Sequence, residues 1–172
     1  SLEAARRLIA MAQPILGTPV ETYLAGRGIA QVHDAGALRY HPRCYYRPED
    51  GTVAQRRPAM IASVTDLQGR ITGAHRTWLA PDGSGKAAVT TPRRAMGQLL
   101  GHAVRFGAAE DVLVVGEGIE TMLSLRAALP GMPMAAALSA GHLGALETPR
   151  TLRCLYIARD ADASGDVALT AL

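Results

Sequence analysis

The sequence predicts an α/β fold over residues 107–172, a parallel sheet with helices on both faces, preceded by a smaller basic α+β subdomain over residues 1–106. Three observations predict it. Two short runs of branched apolar residues end in carboxylate and glycine: Asp111-Val-Leu-Val-Val-Gly-Glu117-Gly-Ile-Glu120-Thr121 and Leu155-Tyr-Ile-Ala-Arg-Asp160-Ala-Asp162-Ala-Ser-Gly165. Such runs read as parallel strands that deliver acid to their C-terminal edge. The segments between apolar runs are long enough for right-handed helical crossovers. Charge is also uneven, with net +7 over residues 1–106 and net −4 over residues 107–172 in a chain of net +3. That asymmetry suggests an electropositive surface in one half and a cation-binding one in the other.

Leu2, Ala5, Leu8, Ile9 and Ala12 have helical spacing, which predicts a helix from Leu2 to about Leu16, stopped near Pro14 and Gly17. Thr18-Pro19 reads as a cap followed by proline at the first helical position, opening a short helix that Gly28 ends. Residues 57–65 and 70–79 read as two strands joined by the turn Asp66-Leu-Gln-Gly69, an antiparallel hairpin. Residues 80–94 are rich in turn formers and basic, and a short strand is expected around Ala103-Val-Arg-Phe106. Beyond Gly107 the expected order is a strand at 112–115, a helix at 119–129 ended by Pro130-Gly131, a strand at 134–138, a short helix near 142–146 and a strand at 152–158. Arg126 interrupts the apolar side of the longer helix.

An apolar content of 48% in 172 residues supports a real core, and no apolar run approaches the roughly 20 residues of a membrane helix. A cytoplasmic protein without membrane partners is the expectation. Cys44 and Cys154 stand alone, which argues against a zinc ribbon or disulfide framework and for buried thiols.

Asp160 and Asp162 are two apart, so in an extended segment both carboxylates point to one side and can reach one cation. Gly165 would permit the turn beneath them. Glu117 would face them if its strand is their neighbour, since adjacent strands lie about 4.8 Å apart. Three gathered acids suit a hard, oxygen-seeking cation such as magnesium, used in chemistry on phosphates. Asp160-x-Asp162-x-Ser164-Gly165 also matches the first six positions of a calcium loop, but Ala171 stands where a bidentate Glu is needed and an apolar strand precedes it. A dinucleotide fingerprint at Gly116-Glu-Gly118 fails because Thr121 replaces the third glycine. Helix capping plus ordinary loop acids is the structural alternative.

Glu117-Gly118 after an apolar strand, then Asp160-x-Asp162-x-x-Gly165 after a later one, resembles the Toprim domain of primases, topoisomerases and some nucleases. The resemblance implies that Asp160 and Asp162 bind magnesium (or manganese), and that Glu117 is a ligand or the acid/base in phosphoryl or nucleotidyl transfer. Tyr23-Leu24-x-x-Arg27-Gly28-Ile29 and Leu38-Arg-Tyr-His-Pro42 resemble the start of bacterial-type primase cores. Gly73-Ala-His-Arg76 with Lys86 resembles their basic strand and lysine segment. Glu117-Gly-Ile-Glu-Thr121 and Leu138-Ser-Ala-Gly141 are similar to segments of phage- and plasmid-encoded primase–helicases, which suggests a mobile element.

The implied function is DNA primase: magnesium-dependent RNA primer synthesis from NTPs on a single-stranded DNA template, with a replicative helicase as a partner in cis or trans. Arg76, Lys86, Arg93 and Arg94 would hold template or triphosphate phosphates, Arg by bidentate contacts and Lys as a point charge. His75 reads as a packed or solvent-facing histidine. Departures from the family pattern are Thr121, which stands where primases place a second acid, four residues after the catalytic Glu (in this chain Glu120 sits one position earlier), and Asp166, where a basic residue is usual. Glu120 is therefore a candidate substitute ligand. A zinc-binding segment is missing, and the start at Ser1 and stop at Leu172 suggest a piece of a longer protein. The alternatives are a Toprim nuclease or topoisomerase-like enzyme that cleaves phosphodiesters, and a non-catalytic DNA-binding assembly module. Tyr45, Tyr46 and Tyr156 lack a supporting topoisomerase motif.

Overall fold

The computed structural model describes residues 1–30 and 36–159. The chain divides into two units: Ser1–Ser63 with Gly73–Gly97, and Val64–Thr72 with Gln98–Leu172. A linear cut at 106/107 therefore differs from the compact units, because the turn at 64–72 and the segment 98–106 belong to the second.

In the first unit α1 (Leu2–Met11) is capped by Ser1, whose hydroxyl accepts from the Ala4 amide at 3.3 Å. The helix ends earlier than its apolar spacing suggests. Gln13 instead exchanges two backbone hydrogen bonds with Tyr40, at 2.8 and 2.7 Å, and an extended pairing cannot coexist with helix. Helix α2 (Pro19–Ala25) starts as expected, with Thr18 accepting from the Val20 amide and proline opening the first turn. It stops at Gly26, and Gly28 then turns the chain with φ +77° while the Ile29 amide bonds back to Leu24.

A four-stranded sheet follows in the order β1 (Leu38–Tyr46), β2 (Gln55–Thr65), β3 (Ile71–Trp78), β4 (Arg93–Gly97). Strands β2 and β3 confirm the expected pair around the Asp66–Gly69 turn. β1 and β4 were not expected as strands. On β2 the consecutive residues Ala59, Met60, Ile61 and Ala62 are fully buried, so both faces of this strand are covered. Ala5 and Leu8 of α1 share one core cluster with Cys44, Tyr46, Ile61, Ala74 and Trp78, which places α1 on that face.

The second unit holds β5 (Val104–Phe106), β6 (Val112–Gly116), α3 (Ile119–Ala128), β7 (Met134–Ala136), α4 (Ala140–Gly144) and β8 (Cys154–Ala158). The sheet order is β5-β7-β6-β8. β6 pairs in parallel with both β7 and β8, while β5 runs antiparallel on the edge, so the sheet is mixed. Leu113, Val115, Ala135 and Ala137 pack with Leu143 of α4 and the following Leu146. Side chains alternate along a strand, so Gly116 faces the other way, where Met122 of α3 lies against it. Helices thus cover both faces, as expected.

The turn at 66–69 is tied to this unit through Thr65, which exchanges backbone bonds with Ala103 at 2.9 and 3.2 Å. Asp66 accepts from the Gln68 and Arg70 amides and from Arg70 Nε at 2.7 Å. Arg126, the cation on the apolar side of α3, is part-buried. Its Nη1 donates to the carbonyls of Phe106 at 3.1 Å and Met132 at 3.4 Å, joining the helix to the segments that flank it.

Candidate active site

β6 ends at Gly116, which is in register with Ala136 on one side and Ala158 on the other. Two close approaches crowd this position, and the one to backbone requires glycine. A Cβ on Gly116 would lie 2.6 Å from Met122 Cε and 3.0 Å from the Ala158 carbonyl oxygen. The chain then leaves the strand through half-buried Glu117 and enters α3 with Gly118 as an extended N-cap, φ −89° and ψ 136°. Gly118 offers no side-chain cap, and Glu120 occupies the first turn. Glu117 and Glu120 therefore sit where the α3 dipole favours negative charge, which makes two nearby acids tolerable at this strand edge.

The neighbouring strand β8 closes at Ala158, level with Gly116, and Arg159 is the last described residue. The strand adjacency on which a shared acidic site depends is thus present. Asp160, Asp162 and Gly165 lie outside the described residues. Among the described residues no three His, Cys, Asp or Glu side chains gather into a metal-binding group. Glu117 and Glu120 are hard oxygen donors three positions apart, a donor type that fits magnesium and excludes a soft-metal site. A cleft of about 580 Å³ runs beside α3, lined by Val114, Leu125, Leu129, Met132, Tyr156 and Arg159 among others. Among the described residues no carboxylate lines it.

Three of the four basic candidates come together in the first unit. Arg76 on β3 is the register partner of Arg94 on β4, and Arg93 pairs with Thr77. Arg76 lies over the Trp78 ring at 4.9 Å from its centroid and Arg94 over Tyr46 at 5.1 Å. Tyr46 and Trp78 meet edge to face at 5.0 Å. The two guanidiniums are thus held by aromatic faces, which offsets the repulsion between like charges directly across a sheet. Arg94 also donates from Nη1 to the Arg47 carbonyl at 2.6 Å and pairs with Glu49 at 3.2 Å, so it fastens the β1–β2 loop.

Arg76 differs. Its Nε is buried with no hydrogen-bond partner among the described residues, and burial, with Arg94 nearby adding to it, lowers its pKa. Burial pushes the adjacent Cys44 thiol up to about 11, against the opposing pull of Arg76 and Trp78. Lys86 lies in the 80–92 connection and bridges to Leu79.

Sequence reasoning missed Gly116 as a packing glycine, Arg126 as a carbonyl clamp and Leu138, whose φ is +76°, as a strained residue. Only Arg126 left a signal, a charge on an apolar helix side.

Residues 1–106, more than half of the chain, match the family described as Domain of unknown function (DUF7146). The chain belongs to that family. Residues 112–172 match the Toprim domain, which confirms the resemblance read from Glu117-Gly118 and Asp160-x-Asp162. No curated protein matches the sequence. Among solved structures, a DNA primase domain from Pseudomonas aeruginosa is 16% identical with a TM-score of 0.63, covering 99% of this chain and 65% of that one. The E. coli primase catalytic core is 18% identical with a TM-score of 0.60, covering 99% of this chain and 66% of that one. A DnaG primase catalytic domain bound to ssDNA is 18% identical with a TM-score of 0.63, covering 99% and 66%. The chain therefore has the fold of bacterial primase catalytic cores and spans just under two thirds of their length.

Proposed function

We propose that this chain is the catalytic core of a DNA primase, which joins ribonucleotides on a single-stranded DNA template. The observation that carries the reading is coverage: both units, 99% of the chain, align with primase cores, one of them described as bound to ssDNA. The position of Glu117 at the edge of β6, with β8 as the parallel neighbour leading toward Asp160 and Asp162, is consistent with it.

In nucleotidyl transfer a primer 3′-hydroxyl attacks the α-phosphate of an NTP, an O–P bond forms, and pyrophosphate leaves. Glu117, Asp160 and Asp162 would hold a magnesium or manganese ion, which would supply charge neutralisation on the triphosphate. Glu117 would serve as a ligand or accept the hydroxyl proton, and Glu120 would be an added acid. Arg76, Lys86 and Arg93 attract template or nucleotide phosphates, while Arg94 holds the β1–β2 loop beside them. The Nε of Arg76 is buried, so a phosphate contact there would fall to its Nη groups; Arg93 is exposed, and Arg94 is engaged with Arg47 and Glu49. The partners are single-stranded DNA, NTPs and a replicative helicase in cis or trans, in the cytoplasm. None of the described helices is long and apolar enough to cross a membrane.

The test is oligoribonucleotide formation by the full-length gene product from NTPs on single-stranded DNA. Primer products that disappear in Asp160→Ala, with DNA binding retained, support the reading. Magnesium-dependent nicking without NTPs would assign a nuclease instead, and DNA binding with neither activity would assign an assembly module.

A further inference from the structure

Leu138 is the one non-glycine residue among those described whose φ is positive, at +76°. An L side chain in this region crowds its own backbone, and leucine gains nothing there that glycine or asparagine would not supply more easily. Strain of this kind persists only where the surroundings hold it. Here the surroundings are specific. Leu138 follows β7, and its amide donates to the Glu117 main-chain carbonyl at 2.9 Å. One residue earlier the Ala137 amide donates to the Gly116 carbonyl, also at 2.9 Å. Two successive amides thus bond to the end of β6, which departs from the alternation of a regular ladder and reaches the acidic residue itself. Immediately afterwards the chain turns away, with Ser139 capping α4 by accepting from the His142 amide at 3.2 Å. A left-handed residue at 138 lets one segment do both things: bond to Glu117 and then reverse into α4.

Resting on the reading of Glu117 as a cation ligand, we infer that Leu138 is a positioning residue for it, acting through its left-handed backbone and not through its side chain. The bond to its carbonyl fixes the peptide of Glu117 and hence the direction in which its carboxylate leaves the sheet edge. Partners one step removed from a ligand set metal affinity in this way.

The two roles open to Leu138 predict opposite orders of substitution. If the backbone conformation matters, Leu138→Gly and Leu138→Asn, which accept positive φ, keep cation binding. Leu138→Ile, equal in volume but β-branched, then loses it. If the side chain only fills space, Leu138→Ile is mild, and Leu138→Gly and Leu138→Asn are the damaging changes.

Mn2+ binding to the full-length protein, followed by electron paramagnetic resonance alongside thermal unfolding, reads this directly. Leu138→Gly and Leu138→Asn are expected within about twofold of the parent affinity, and Leu138→Ile weaker by roughly tenfold. The reverse order, or no change in a folded Leu138→Ile, overturns the inference. Should Leu138→Ile not fold, the other two decide: retained affinity supports the backbone role and a tenfold loss in both rejects it. Glu117→Gln is the control. Unchanged Mn2+ affinity in that variant removes the site reading itself, whereas a loss there with Leu138→Ile unaffected removes only the role of Leu138.

Discussion

Gly116 and Ala158 are register partners at the ends of adjacent parallel strands, and the space between them and Met122 is too small for a methyl group. The clash with Met122 Cε can be relieved by a rotamer change, but the 3.0 Å approach to the Ala158 carbonyl involves backbone and cannot. Gly116→Ala is therefore expected to lower stability by about 1–3 kcal/mol through overpacking. Because it pushes β6 and β8 apart beside Glu117, activity should fall more than stability. Urea unfolding together with a priming assay on the same preparation checks both.

Arg126 anchors α3 to two carbonyls. Arg126→Met keeps most of the volume but removes the donor shared by the two carbonyls, at an expected cost of about 1–3 kcal/mol. Arg126→Lys should recover part of the loss, because an ammonium can still reach one carbonyl. Chemical denaturation of the three proteins measures it.

Burial raises the carboxyl pKa of Asp66, but hydrogen bonds and charge from Arg70, with the Gln68 amide, outweigh it and hold the group below its ordinary value. A depressed folded-state pKa gives stability that is full above the unfolded value of about 3.9 and is lost as pH falls through the lower folded one. Melting temperatures of the parent and Asp66→Asn should therefore differ at pH 7 and converge as pH drops into the range where Asp66 protonates. A gap that persists unchanged into strong acid would contradict the role of the carboxylate.

Arg76 and Arg94 face each other across β3 and β4 but do different work. Arg94→Ala is expected to reduce stability, because it releases the Arg47 carbonyl and Glu49, with little change in the salt dependence of DNA binding. Arg76→Ala should weaken single-stranded DNA or NTP binding and, if the contact is to a phosphate, reduce the salt slope by about 1. Binding isotherms at several salt concentrations separate the two.

Much of this was legible in the sequence, for reasons that differ by element. Thr18-Pro19, the turn at Asp66–Gly69 and the apolar run before Glu117 each carry a local signature, and each formed where expected. β1 was not legible. It contains Pro42 and alternates poorly because the register shifts between His41 and Cys44, so its residues lose the period of two. β4 reads Arg-Arg-Ala-Met-Gly, which is too short and polar to mark a strand, and only its pairing with β3 makes it one. Leu138 leaves no trace in the sequence, since nothing about leucine announces a positive φ. Glu117 was legible because an acid after a buried strand is unusual, and the β6–β8 adjacency needed to bring acids together is present. Asp160 and Asp162 lie outside the described residues, so their part of the site stands on the sequence alone.

The most direct measurement is primer synthesis by the full-length protein and its Glu117→Gln variant, on single-stranded DNA with NTPs and magnesium, with DNA binding measured in parallel. The expected result is oligoribonucleotide product from the parent and a loss of about 10²–10⁴-fold in the variant at unchanged DNA affinity. Equal synthesis by both proteins would contradict the account.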